Sequence, residues 1–214
     1  MAKLSVGLGA VGFLKLEAAA KAIAASDADS VHFDIMDGVF VPRITYGARL
    51  LAELRPLIKN KKFTAHLMVA EPQKHIEDFA RAGADAVALH IENKNFARAV
   101  LKARRHKLKV SAVLQIQTPV ARLKPYLSKV DGATIMCAPI GYSGKPFDRR
   151  ALAKIEELRR IAPSGFRISA DGGIDCKNGL EVVAAGATEL ISGSAVWQGR
   201  DLAGTVARFR ALKA

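Results

Sequence analysis

The chain has 214 residues, with 33 Lys and Arg against 20 Asp and Glu, a formal charge of +13, and half of its residues hydrophobic. That length and balance fit one globular domain spanning residues 1–214, and no apolar run approaches the ~20 residues of a membrane helix. Aromatic residues are only 6% of the chain, too few for a base-stacking platform, and the basic residues are scattered over many segments, so neither nucleic acid nor membrane is an expected partner. The N-terminal stretch lacks the charged-then-apolar pattern of a signal peptide. Two cysteines, Cys137 and Cys176, make a weak case for a disulfide, and a reducing cytoplasm is the expected location.

β-Branched apolar runs alternate with segments of helical period along the chain. In order, the predicted pairs are strand 4–9 with helix 14–25, strand 30–34 with helix 48–58, strand 63–69 with helix 72–82, and strand 86–90 with helix 96–107. Strand 109–114 with helix 120–129, strand 133–136 with helix 149–161, strand 167–170 with helix 179–185, and strand 189–192 with helix 202–213 follow. Pro72 suits a helix first turn, and Gly83 and Gly186 suit helix ends. Eight such units predict an α/β fold, a (β/α)8 TIM barrel. A weak internal echo supports it: Ala82-Gly-Ala-Asp85 and Ala185-Gly-Ala-Thr188 each lead from a helix end into a strand, as Ser26-Asp-Ala-Asp29 does earlier. The rival is an open doubly wound sheet, for which Gly7-Leu-Gly-Ala-Val-Gly12 matches the dinucleotide fingerprint.

Chemistry gathers at the C-terminal mouth of such a barrel. His32 and Asp34 stand two apart on one predicted strand and share a face; His66 lies on the neighbouring strand, and Asp171 ends the seventh. Taken singly, each histidine reads as a hydrogen-bonded core residue. Together, two imidazoles and two carboxylates form a ligand set for one divalent metal ion (Zn, Mn, Fe or Co), with no thiolates to narrow the choice. Two carboxylates also suffice to move a proton from one face of a carbon to the other. Gly172-Gly173 and Gly193-Ser194 fall in the loops after strands seven and eight, where barrels hold phosphate on backbone N–H groups. The long sixth loop, Ala138 to Phe147, can fold over substrate as a lid, with Gly141, Ser143 and Gly144 as further phosphate donors.

The stretches Val31-His-Phe-Asp-Ile-Met-Asp-Gly-Val-Phe-Val-Pro42, Ala65-His-Leu-Met-Val69, Ala170-Asp-Gly-Gly-Ile174 and Ser192-Gly-Ser-Ala195 together resemble the ribulose-phosphate 3-epimerase family and its relatives that epimerise other ketose phosphates. So does Pro72-Gln-Lys-His-Ile-Glu-Asp-Phe-Ala-Arg-Ala-Gly-Ala-Asp85, and the likeness covers nearly the whole chain. It implies a ribulose-phosphate-binding barrel and epimerisation at C3, with D-ribulose 5-phosphate to D-xylulose 5-phosphate as reference reaction. It further implies His32, Asp34, His66 and Asp171 as metal ligands, Asp34 and Asp171 as the acid/base pair, and Met36, Met68 and Met136 lining the pocket near the reacting carbons. A homo-oligomer, dimer or hexamer, is also implied.

Departures from the family pattern bear on the sugar. Where the family has a serine that contacts substrate, this chain has Gly7 in the stretch Val6 to Ala10; in the sixth loop Lys145 stands for a neutral amide. Arg43 and Tyr46 are further candidates for altered recognition. These residues keep open a 3-epimerase of another tetrulose, pentulose or hexulose phosphate, and a non-catalytic phosphosugar-binding barrel. Aldol or decarboxylation chemistry would want a lysine at the end of the second or third strand, and none is there.

Overall fold

The computed structural model describes residues 2–142, 144–199 and 201–212. Eight parallel strands close on themselves in chain order: β1 (Lys3–Gly7), β2 (Ser30–Met36), β3 (Lys62–Met68), β4 (Ala86–His90), β5 (Lys109–Leu114), β6 (Gly132–Met136), β7 (Arg167–Asp171) and β8 (Glu189–Ser192). β1 pairs with β8 as well as with β2, so the sheet has no edge and the open-sheet alternative falls. The barrel is wrapped by α1 (Leu16–Ala25), α2 (Ala48–Leu54), α3 (Pro72–Arg81), α4 (Phe96–Arg105), α5 (Arg150–Ile161), α6 (Gly179–Ala184), α7 (Ser194–Trp197) and α8 (Leu202–Arg210).

Strands 86–90, 109–114 and 189–192 lie where the sequence puts them. Between β5 and β6 the expected α-helix is a 3-10 helix, Val120–Tyr126. Pro125 inside it has no N–H to give, which breaks an α-helical ladder. The four-residue α7 was not foreseen, being too short to show a period. The end of the last predicted helix, Lys213, lies outside the described residues.

Alternation along each strand separates two environments. Outward residues such as Val31, Phe33, Phe63, Leu67, Val87 and Ile168 are buried against the helices, each such burial contributing about 1.5–3 kcal/mol. Toward the N-terminal end the inward face carries polar pairs: Ser111 bonds Thr134 at 2.9 Å, and Ser169 donates to Glu189 at 2.6 Å.

At the N-terminal rim one device recurs on alternate strands. The residue just before each even strand accepts the N–H of the second residue of the preceding odd strand. Asp29 accepts from Leu4 at 2.9 Å, Asp85 from Phe63 at 2.9 Å, Asp131 from Val110 at 2.8 Å, and the Thr188 hydroxyl from Ile168 at 3.0 Å. This is the physical content of the sequence echo, with Asp131 as an added fourth member. Lys62 and Lys109, which open their strands, bridge to the same carboxylates at 2.8 and 3.1 Å. Replacing Asp85 with Ala leaves a strand N–H without its acceptor, and denaturant unfolding should show a loss of about 1–3 kcal/mol; an unchanged midpoint would contradict the role.

Candidate active site

The strand registers Gly7↔His32, Asp34↔His66 and Met136↔Asp171 bring four side chains into one interior mouth. His32, Asp34 and His66 sit within β2 and β3, two positions or more before the C-terminal ends at Met36 and Met68, so the site lies slightly below the rim. Thr45 holds the end of β2 by donating to the Asp34 carbonyl at 2.9 Å and accepting from the Met36 N–H at 3.0 Å. Asp37 ties the next loop to β3, accepting from Ala70 N–H at 2.8 Å.

His32 Nε2 lies 3.1 Å from His66 Nδ1, and 3.4 Å from one oxygen each of Asp34 and Asp171. His66 Nδ1 lies 3.2 Å from Asp34 Oδ1 and 3.7 Å from Asp171 Oδ2. All four ligand atoms fall within 4.8 Å of one another. A tetrahedron with metal–ligand bonds of about 2.1 Å has edges of about 3.4 Å, so this nitrogen and oxygen set fits a divalent ion with little rearrangement.

The groups have unequal protonation in the ion-free site. Burial disfavours charge on His32, but Asp34 and Asp171 outweigh it and hold its pKa up near 9. Burial pushes His66 down to about 4, so it is neutral near pH 7. Asp34, although buried, is held well below the usual carboxylate range, chiefly by His32. Burial lifts Asp171 to about 7, with Asp34 adding to the rise and His32 opposing it.

The same pocket is lined by Gly7, Met36, Met68, Met136, Gly141, Gly144, Lys145, Gly172, Gly173, Gly193 and Ser194. Ser143 lies outside the described residues. Gly172 and Gly173 adopt φ of +106° and +66°; a Cβ on the first would stand 2.8 Å from Ala138 N and on the second 2.6 Å from Phe147 N. Glycine is therefore required there for the sixth loop to approach at all, a packing demand the sequence reading did not include. Arg43 joins the lining, and its guanidinium and the Lys145 ammonium each stand 5.3 Å from the centre of the Tyr142 ring. Tyr46 does not belong to the pocket. Its ring packs on Phe33 at 4.3 Å in the outer core, where burial raises its hydroxyl pKa, so it is placed for packing and not, as the sequence suggests, for recognition.

Sequence reasoning missed His90 and Glu92. His90 Nε2 is 2.9 Å from His66 Nε2, and His90 Nδ1 is 3.3 Å from Glu92 Oε2. Burial opposes the charge on Glu92, but hydrogen bonds from His90 and Thr118 bring its pKa down to about 2. The available signal was His-x-Glu at the end of β4, with His90 in the inward parity of its strand.

Comparison with known proteins gives a consistent result. The Ribulose-phosphate 3 epimerase family matches residues 3–197. Ribulose-phosphate 3-epimerase of Synechocystis is 37% identical over 92% of this chain and 88% of its own, and that of Bacillus subtilis 31% identical over 100% of both. The Escherichia coli K12 enzyme of that name is 36% identical over 86% of this chain and 84% of its own. Among solved structures, orotidine 5'-phosphate decarboxylase from Pyrococcus horikoshii superposes with a TM-score of 0.73 at 14% identity, covering 99% of each chain. 3-Hexulose-6-phosphate synthase from Salmonella typhimurium does so with 0.73 at 16%, covering 98% and 97%. At such identities these two speak for the barrel alone. The whole-chain sequence matches say more, and this chain belongs to the ribulose-phosphate 3-epimerase family.

Proposed function

We propose that this isomerase epimerises a ketose phosphate at C3 with the help of a divalent ion, D-ribulose 5-phosphate and D-xylulose 5-phosphate being the reference pair. The observation that carries the reading is the placement of Asp34 and Asp171. They enter one pocket from strands separated by β1 and β8, and each lies 3.4 Å from His32 Nε2. A divalent ion held by His32, Asp34, His66 and Asp171 supplies positive charge that lowers the cost of an enediolate. One aspartate removes the C3 proton from one face, and the other, carrying a proton taken up from solvent, returns it to the opposite face; the roles exchange with direction. No redox cofactor is needed.

Met36, Met68 and Met136 give the reacting carbons a dry, soft lining. Gly172, Gly173, Gly193 and Ser194 offer backbone N–H groups to the phosphate, and the sixth loop, with Gly141, Gly144 and Lys145, covers it. A different tetrulose, pentulose or hexulose phosphate is the second reading. It is supported by Gly7, which offers no side-chain contact, and by the cations Arg43 and Lys145 flanking Tyr142. The proposal includes a cytoplasmic homo-oligomer, favoured by exposed Phe13, Leu14, Val39 and Ile44 on the loops after β1 and β2.

Asp34→Asn and Asp171→Asn should each lose turnover by about 10²–10⁴-fold or more while retaining binding of a ketose phosphate; near-normal turnover in either variant overturns the two-base assignment. Uptake of the ion should depend on pH with a definite sign. The ion-free site holds a proton on His32 up to about pH 9 and on Asp171 up to about pH 7, and an incoming ion displaces both. Affinity for Zn²⁺ should therefore rise with pH, roughly tenfold per unit between pH 7 and 9 and more steeply below. Competition with a chromophoric chelator measures this, and an affinity flat across that range contradicts it.

A further inference from the structure

We propose that His90 and Glu92 are positioning residues for the ion, acting through His66: a hydrogen-bond chain from Glu92 through His90 leaves the His66 Nδ1 lone pair free to bind metal. The inference rests on the reading of His32, Asp34, His66 and Asp171 as the metal ligands.

The chain is defined by geometry. His66 turns Nδ1 toward His32, Asp34 and Asp171, and turns Nε2 away from them toward His90 Nε2 at 2.9 Å. Between two facing imidazole nitrogens, one carries the hydrogen and the other accepts it. Which one is decided further along. His90 Nδ1 faces Glu92 Oε2 at 3.3 Å, and Glu92 Oε1 accepts from the Gln115 N–H at 2.9 Å and from the Thr118 hydroxyl. A carboxylate surrounded by donors accepts on both oxygens, so the His90 hydrogen sits on Nδ1. His90 Nε2 then accepts, His66 Nε2 carries the hydrogen, and His66 Nδ1 is left with a lone pair.

The support is held in place from both sides. The His66 and His90 rings stack with centroids 5.0 Å apart at 21°, and Phe40 covers His90 at 5.2 Å. Lys154 on α5 donates to the carbonyls of Gln115 at 2.6 Å and Ile116 at 3.3 Å, and also to that of Thr118. That clamp folds the loop after β5 so that Gln115 N–H and Thr118 Oγ1 meet Glu92. His32 has no comparable backing: among the described residues its buried Nδ1 has no hydrogen-bond partner. The two histidines thus differ, and His66 is the ligand whose tautomer the fold dictates.

Glu92→Gln tests this with almost no change in shape. If the Gln amide oxygen keeps the Gln115 N–H, its NH2 faces His90 Nδ1 and the chain reverses, driving a hydrogen onto His66 Nδ1. The Gln115 N–H and the Thr118 hydroxyl both aim at the Oε1 position and select that orientation, because a turned amide would face them with its own NH2. Zn²⁺ affinity, measured by chelator competition, should fall about 10–100-fold with the thermal midpoint of the ion-free protein little changed. Imidazole ¹⁵N spectra of wild type loaded with Zn²⁺ should show His66 protonated on Nε2 and His90 on Nδ1; this second readout needs no variant to fold. Equal Zn²⁺ affinity in wild type and Glu92→Gln, or a His90 hydrogen on Nε2 in wild type, overturns the positioning role and leaves the metal site standing. Failure of wild type to bind Zn²⁺ at all overturns both.

Discussion

Unbroken parallel pairing from β1 round to β8 fixes which side chains face the inside of this barrel, and the candidate site depends on that parity. Asp34 pairs with His66, His66 with Ala88, and Met136 with Asp171, so each inward residue sits on the row set by its neighbour. A one-residue slip in β2 would turn His32 and Asp34 into the helix-facing core and expose Phe33 to the pocket. The large apolar outer face, with Phe33, Phe63 and Leu67 fully or almost fully buried, makes such a slip costly. Packing outside the barrel thereby holds the polar constellation inside it.

The electrostatic consequence is a buried cluster that cannot carry its full charge. With two carboxylates so close, the ion-free site keeps a proton on His32 and raises Asp171 while Asp34 stays ionised. A divalent ion and a protonated imidazole answer the same charge problem, which is why the geometry and the protonation pattern point to one chemistry. Some of the basic residues serve the fold. Lys62, Lys109, Arg104 and Arg210 all pair with the aspartates that cap odd strands at the opposite rim.

Much of this was legible in the sequence because strands that face helices outward and a filled barrel inward carry a strong period. His32, Asp34 and His66 can be placed by counting residues along two neighbouring strands, and Asp171 by its position at the end of the seventh. Other features were hidden for physical reasons. Pro125 makes the segment after β5 a 3-10 helix where a helical period suggested an α-helix. α7 is a single turn. Tyr46 is a recognition candidate by its position beyond the second strand, yet it returns to pack on Phe33. His90 was read as the last residue of an apolar strand; its link to His66 is a register fact, visible only once β3 and β4 are paired. The glycines at 172 and 173 were read for phosphate alone, whereas contact with the sixth loop already requires them.

The central claim is that Asp34 and Asp171 exchange the C3 proton of a ketose phosphate with solvent, and NMR in D₂O tests it most directly. Ion-loaded protein is incubated with a panel of ketose phosphates that includes D-ribulose 5-phosphate, and the C3 proton is followed. The account predicts loss of that signal together with appearance of the C3 epimer for at least one sugar, the identity of which also decides what Gly7, Arg43 and Lys145 select. Retention of the C3 proton in every sugar by protein with its ion bound would contradict the account and favour a phosphosugar-binding barrel without turnover.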